Sequence, residues 1–125
     1  MTALEEAEDL LRKLLRPGRL QGFPSHPDRR DTVLAVAAGA LMRRHPYGEK
    51  EINELLIDWL KSVRARIDHV TLRRRMVDCG FLKRTRDGSR YLLNYGRVAG
   101  VLGDPAPRVD AGVILANARH RTTRT

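Results

Sequence analysis

At 125 residues, the chain is long enough for one domain with tails but not for two. It carries 24 Lys and Arg against 15 Asp and Glu, a formal net charge of +9, and no apolar run approaches the ~20 residues of a membrane span. The acidic start of the chain lacks the basic residues of a signal peptide, so we expect a cytoplasmic protein, and the single cysteine, Cys79, excludes an internal disulfide.

The excess positive charge is concentrated in one part of the chain. Residues 61–95 contain ten Lys and Arg but three Asp and Glu, whereas residues 1–15 and 31–60 are both net negative. A localised basic patch is the electrostatic footprint of a polyanion binder, while scattered charge would indicate only solubility. The alternative stays open, because small arginine-rich chains are often basic without binding nucleic acid.

The first predicted element is a helix from Ala3 to about Arg16. Thr2 and Glu5 have the spacing of a capping box, and Pro17 with Gly18 ends the helix. One apolar stripe runs along it, formed by Leu4, Ala7, Leu11, Leu14 and Leu15. A helix this short is marginal alone, so the stripe must dock on the domain or on a second copy.

Residues 17–27 hold three prolines and two glycines and are predicted to be a linker. Ser25 as N-cap with Asp28 at N3 predicts a second helix, which runs to about Arg44. Its expected buried face consists of Val33, Leu34, Ala37, Ala38, Leu41 and Met42.

His45 and Pro46 break that helix, and an amphipathic pattern over residues 49–61 predicts the next one. Its apolar positions fall at i, i+3, i+4, i+7 and i+8, namely Ile52, Leu55, Leu56, Trp59 and Leu60. We interpret Trp59 as a core residue.

Residues 68–80 predict a short basic helix, with Asp68 as its N-cap and Gly80 as its left-handed stop. At about 100° per residue, the apolar arc comprises Leu72, Met76, Val77 and Cys79, and the opposite arc comprises Thr71, Arg74, Arg75 and Asp78. Arg73 falls on the inward arc, so we predict a structural ion pair between Arg73 and Glu49, Glu51 or Asp68.

After Gly80 the pattern becomes alternating, and the Asp87-Gly88 dipeptide predicts a tight turn between strands over residues 81–85 and 90–95. This two-stranded hairpin carries basic residues around its tip. From Gly96 the pattern weakens and two prolines predict a loop, after which Asp110 is suited to cap a short helix whose Val113, Ile114 and Leu115 need burial.

Three helices followed by a hairpin in residues 28–95 are typical of a winged helix-turn-helix domain. We therefore predict a mainly α fold with a small β-hairpin, in which residues 1–16 form an extra N-terminal helix, 17–27 a linker and 96–125 a C-terminal extension. In such domains the third helix enters the major groove and the hairpin, or wing, lies on the phosphate backbone.

The predicted DNA-binding residues follow from this arrangement. Facing the groove are Thr71, Arg74, Arg75 and Asp78, the last accepting from a cytosine amino group or orienting an arginine. The phosphate contacts are Lys83, Arg84, Arg86 and Arg90 on the wing, with Arg64 and Arg66 as clamps. The histidines lack metal-ligand spacing, and the sequence contains no nucleophile elbow or phosphate loop, so we expect neither metal, cofactor nor catalysis.

Three stretches and a dipeptide carry a resemblance to a known family: Tyr47–Leu56 (YGEKEINELL), Asp68–Arg84 (DHVTLRRRMVDCGFLKR), Asp87–Tyr91 (DGSRY) and Phe23-Pro24. They resemble an uncharacterised bacterial domain family whose members occur alone or fused to winged-helix transcriptional regulators. The resemblance implies a regulator without an established ligand. The chain departs from the family pattern at Gly48, where Ser or Thr is usual, at Leu92, where Trp is common, and in a longer link from Leu60 to Asp68.

Three hypotheses for function remain open. The first is a DNA-binding transcriptional regulator, acting as a homodimer through the N-terminal helix, the C-terminal segment or both. The second is a winged-helix module that binds an acidic protein partner. The third is RNA association, for which only Tyr91 and Tyr95 lie near the basic region as stacking aromatics.

Overall fold

The computed structural model describes residues 2–123, with side chains to residue 118. Within these residues the chain forms six helices and three short strands: α1 Ala3–Leu14, α2 Pro27–Ala38, β1 Tyr47–Gly48, α3 Glu49–Ser62, α4 His69–Asp78, β2 Leu82–Arg84, β3 Arg90–Leu93, α5 Tyr95–Leu102 and α6 Ala111–Thr123. The predicted fold class, mainly helical with a small β element, is confirmed. None of the described helices combines the length and the apolar character needed to cross a membrane.

The element order from α2 to β3 matches that of a winged helix-turn-helix domain. The predicted hairpin is present as β2 and β3, and β1 completes a three-stranded antiparallel sheet in the order β1-β3-β2. Tyr47 pairs with Tyr91 and Gly48 with Arg90 across β1 and β3. Sequence reasoning missed β1 because two residues are too few to show an alternating pattern.

Helix α2 is the centre of the core and packs against α1, α4 and α5. Every residue from Val33 to Ala38 is buried, since α2 is covered on several sides. From α1 and its C-cap the core receives Ala7, Leu11 and Leu15, and from α4 it receives Leu72 and Met76. The capping box that starts α1 is also present, because the Thr2 hydroxyl accepts a hydrogen bond from the Glu5 amide at 3.1 Å.

The predicted limits of α2 are wrong at both ends. Its N-cap is His26, whose Nδ1 accepts from the Asp28 amide at 3.2 Å, and not Ser25. The helix stops at Ala38 instead of Arg44 because the Met42 amide donates to the Tyr47 hydroxyl at 2.7 Å. This hydrogen bond turns the chain toward β1. Met42, which was predicted to be buried, is 67% exposed.

The C-terminal part is more ordered than predicted. Residues 95–102, expected to be largely loop, form α5, and its Val98 and Leu102 are buried. The predicted cap of the last helix is confirmed, since the Asp110 carboxylate accepts from the Val113 amide at 3.1 Å. Val113 itself is 53% exposed, because three successive residues of a helix span about 200° and cannot all face the core.

The N-cap of α2 gives the first testable prediction. Substitution His26→Ala removes the acceptor for the Asp28 amide, and we expect it to lower the free energy of unfolding by about 1 kcal/mol, the usual cost of a lost helix cap. The matched control is Ser25→Ala, for which urea denaturation should show no change. Equal losses for both variants would contradict the assignment of the cap to His26.

Candidate nucleic-acid interface

Helix α4 is fixed at both of its ends by local hydrogen bonds. The Asp68 carboxylate accepts from the Thr71 amide at 2.7 Å, and this bond to a backbone N–H holds the pKa of Asp68 below its ordinary value. At the other end Gly80 adopts φ +85°, and the Phe81 amide donates to the Met76 carbonyl at 2.8 Å. The ten-residue helix therefore has a defined register against the core.

The outer face of α4, which we define by Thr71, Arg74 and Asp78, is exposed as the sequence predicted. Arg74 lies opposite the arc of Leu72 and Met76, and it has no ion-pair partner among the described residues. The guanidinium is thus available to an external anion or to base edges.

Val70 also lies on this side of α4, one helical turn before Arg74, and is 39% exposed. Sequence reasoning did not single it out, although the same helical wheel places it beside Arg74. It adds a small apolar surface next to the free guanidinium.

Arg73 points inward and connects three elements. Its Nη1 donates to Oδ1 of Asn53, its Nη2 lies 3.6 Å from Oε1 of Glu49, and its Cζ lies 5.5 Å from the ring centroid of Tyr91. Its side chain is 14% exposed. Of the three carboxylates considered from the sequence, the observed partner is Glu49.

Arg75 is exposed and has a ring contact that Arg74 does not share. Its Cζ lies 5.7 Å from the ring centroid of Phe23 in the linker. Residues 73 and 75 leave a helix about 160° apart, and Arg73 is the one that reaches Tyr91 in β3. Arg74 and Arg75 are both exposed, and their common use of one DNA-facing surface stays a prediction.

The wing comprises β2, β3 and the turn between them. At its tip, Asp87 accepts the hydrogen bonds that hold the turn. Its Oδ1 accepts from the Ser89 amide at 3.0 Å and from the Ser89 and Thr85 hydroxyls, each at 2.8 Å. These three donors lower the pKa of Asp87 to about 2. Gly88 follows with φ +74°, the left-handed conformation that the turn requires.

The four wing cations divide into two kinds. Lys83 and Arg86 are exposed and have no ion-pair or ring partner among the described side chains. Arg84 donates to the Gly88 carbonyl at 3.1 Å and lies 5.4 Å from the Tyr91 ring. Arg90 lies over Gly48, where an added Cβ would come 2.5 Å from its Nη1.

Arg64 and Arg66 lie in the link between α3 and α4, and both are exposed. This link comprises the six residues 63–68, longer than the three or four of a tight helix-turn-helix. It is nevertheless anchored, because the buried Val63 accepts from the Leu20 amide at 2.9 Å, and Arg64 adopts φ +52°. The two arginines therefore precede the N-terminus of α4 on a segment that is hydrogen-bonded to the linker.

Arg97 of α5 secures the opposite end of α4 and was not recognised from the sequence. Its Nε donates to the Cys79 carbonyl at 3.0 Å, its Nη2 donates to the Asp31 carboxylate at 2.7 Å, and its Cζ lies 4.7 Å from the Phe81 ring. No local pattern marks a contact between residues 66 positions apart.

Other candidate chemistry is not found in the described part of the chain. Trp59 is buried in the core, and no group of three or more His, Cys, Asp or Glu side chains is placed to hold a metal. Cys79 is half-buried and unpaired. The exposed cations are therefore the chemistry that this region offers.

Comparison with known proteins gives one finding. A family model described as an uncharacterized protein conserved in bacteria, DUF2087, matches residues 19–93. No curated protein and no solved structure matches the chain. The matched range contains the linker, α2, α3, α4 and the wing, whereas α1, α5 and α6 lie outside it.

The inward position of Arg73 gives a test with a matched neighbour. Arg73→Ala removes the hydrogen bond to Asn53 and the contact with Glu49, so we expect the free energy of unfolding to fall by about 2 kcal/mol. Arg74→Ala should change it by less than about 0.5 kcal/mol. Urea denaturation of both variants provides the measurement, and the reverse order would refute the helical orientation described above.

The hydrogen bonds of Asp87 predict how the wing responds to pH. Because the pKa in the folded protein, about 2, lies below the ordinary 3.8, the stabilisation is fully present above pH ~4 and is lost as the pH falls through the folded value. An NMR titration of the Asp87 carboxyl carbon should give an apparent pKa near 2. The Ser89 amide resonance should move with the same midpoint, whereas a midpoint near 3.8 would rule out this turn geometry.

Proposed function

The chain belongs to the DUF2087 family of uncharacterized bacterial proteins, and from this premise we propose that it is a DNA-binding transcriptional regulator. The observation that carries the proposal is the unpaired Arg74 on an exposed helix face, with the free cations Lys83 and Arg86 on the wing of the same domain. Exposed cations without internal partners are what a phosphate-rich ligand requires.

The dimensions of α4 suit the major groove of duplex DNA. An α-helix with its side chains is about 10–12 Å across, and the major groove is about 12 Å wide, so the ten residues of α4 fit into it. In such a complex Arg74 donates two hydrogen bonds to a guanine, while Thr71 and Asp78 lie beside it at base edges. Arg75 then contacts a phosphate at the rim of the groove.

The remaining cations supply affinity without reading sequence. We expect Lys83 and Arg86 on the wing, and Arg64 and Arg66 before α4, to contact phosphates, since all four are exposed. Arg84 donates to the Gly88 carbonyl of the turn, Arg90 lies over Gly48, and both contribute to the local positive potential.

An RNA-binding role is less well supported, because the nearby aromatic rings are already occupied. Tyr91 is buried and contacted by the guanidinium groups of Arg73 and Arg84. Tyr95 has the Arg43 guanidinium 3.7 Å above its ring. Neither ring is a free platform on which an unpaired base could stack.

An acidic protein partner is the alternative that uses the same cations, and it differs in what it would contact. A protein partner reads charge and shape, whereas DNA also offers base edges to Arg74. We further propose a cytoplasmic homodimer that acts by binding and not by catalysis, since two linked half-sites raise the affinity of small DNA readers.

Charge reversal on the outer face tests the proposal. Arg74→Glu replaces a groove-facing cation by an anion, and we expect binding to a selected duplex to weaken by at least about 100-fold. The control is Arg108→Glu, an exposed arginine in the loop between α5 and α6, which carries the same charge change and should alter the affinity by less than about threefold. The measurement is fluorescence anisotropy after selection of bound sequences from a random duplex pool.

The salt dependence of the same binding checks the phosphate contacts. About five phosphate contacts, from the cations at positions 64, 66, 75, 83 and 86, predict a log-log slope of about −4.5. The proposal fails if no micromolar binding to duplex DNA occurs even at low salt, or if Arg74→Glu and Arg108→Glu behave alike. Retained binding to an acidic protein, with no binding to duplex DNA, would support the alternative.

A further inference from the structure

A groove runs between α1 and the start of α2, at a distance in sequence from α4 and the wing. Its volume is about 660 Å³. Leu10, Leu14 and Pro24 contribute its apolar lining, and its polar and charged lining residues are Glu6, Asp9, Lys13, Ser25, His26 and Arg29. A groove that combines apolar and charged lining residues is of the kind that accepts an amphipathic helix.

The charges of α1 are segregated along its length. The acidic residues Glu5, Glu6, Glu8 and Asp9 all precede the basic residues Arg12 and Lys13, and Arg16 follows the helix. When two such helices run antiparallel, the acidic half of each lies beside the basic half of the other. The same helix is therefore electrostatically complementary to itself in that orientation.

Two charges that line the groove have no ion-pair partner among the described residues. Asp9 is paired with Arg12 at 2.7 Å, whereas the other charged side chains of α1, Glu6 and Lys13 among them, make no ion pair there. Both line the groove, and seven residues of a helix return to within about 20° of the same direction. Unpaired charges of opposite sign thus flank Leu10 on one face.

We infer that this groove binds α1 of a second copy of the chain, antiparallel and about a two-fold axis. Glu6 of each copy then faces Lys13 of the other, and the two Leu10 side chains meet near the axis. The inference rests on one part of the proposed function, the homodimer, and specifies the surface through which that homodimer forms. Because no residue lining the groove belongs to α4 or the wing, the two proposals depend on different side chains.

The expected interface is small. Twelve residues give a helix about 18 Å long, so a pair of such helices with the adjoining linker falls near the lower end of specific interfaces. We therefore expect a dimer in the micromolar range in the absence of DNA.

The test uses charge reversal in the full-length chain, measured by sedimentation equilibrium without DNA. Glu6→Lys places lysines opposite each other, and Lys13→Glu places glutamates opposite each other. Each single variant should therefore dimerise about tenfold more weakly, since two-fold symmetry repeats the repulsion. An equimolar mixture of the two variants should recover the original affinity as a heterodimer, because every pair is again opposite in charge.

The controls separate dimerisation from folding. The matched single variants Glu54→Lys and Lys50→Glu make the same charge changes on the exposed side of α3 and should each leave dimerisation unchanged. Circular dichroism of the single variants reports whether the helical signal, to which α1 contributes, is retained. Leu10→Asp should abolish the dimer and leave the helical signal unchanged.

Three results would overturn the inference: a wild-type chain that stays monomeric at about 1 mM, a dimer that ignores both single reversals, or a mixture that forms no heterodimer. The last two would assign the dimer to another surface, and the first would leave the groove to a different ligand. None of these outcomes bears on Arg74, so loss of DNA binding with an intact dimer would refute the proposed function alone.

Discussion

The orientation of α4 depends on Arg73. Its guanidinium joins Asn53 and Glu49 on α3 to Tyr91 on β3, and it is largely buried while doing so. Three consecutive arginines on a helix could place any one of their side chains outward. Because Arg73 is held inside by an amide oxygen, a carboxylate and a ring, Arg74 is directed to solvent and Arg75 to the linker.

The rest of the fold maintains this orientation from both ends. Asp68 caps the start of α4, while Arg97 donates to the Cys79 carbonyl at its end and to Asp31 on α2. Asp87 fixes the turn of the wing through three donors. The exposed cations are thus carried on segments held by hydrogen bonds, which would lower the entropy cost of the proposed binding to a rigid polyanion.

Features with a local chemical signal could be predicted from the sequence, and features set by distant contacts could not. The capping box at Thr2, the Asp68 cap and the Asp87-Gly88 turn each lie within a few residues and were found. The early end of α2 depends on a bond that spans only five residues, from the Met42 amide to the Tyr47 hydroxyl, but the apolar pattern continues through Leu41 and Met42 and gave no sign of it. Helix α5 depends on burial against α2, a distant contact that no local pattern marks. The helical wheel correctly placed Arg73 inward and Arg74 outward. It could not show that Arg75 contacts the ring of Phe23, which lies in the linker.

The central claim is that α4 and the wing present one surface to duplex DNA, and chemical-shift mapping tests it most directly. In a titration of the ¹⁵N-labelled chain with its selected duplex, we expect the largest amide shifts at residues 70–78 and 83–90. Residues of α1 and α6 should change little. Shifts concentrated on those two helices, or no shifts at low salt, would contradict the account.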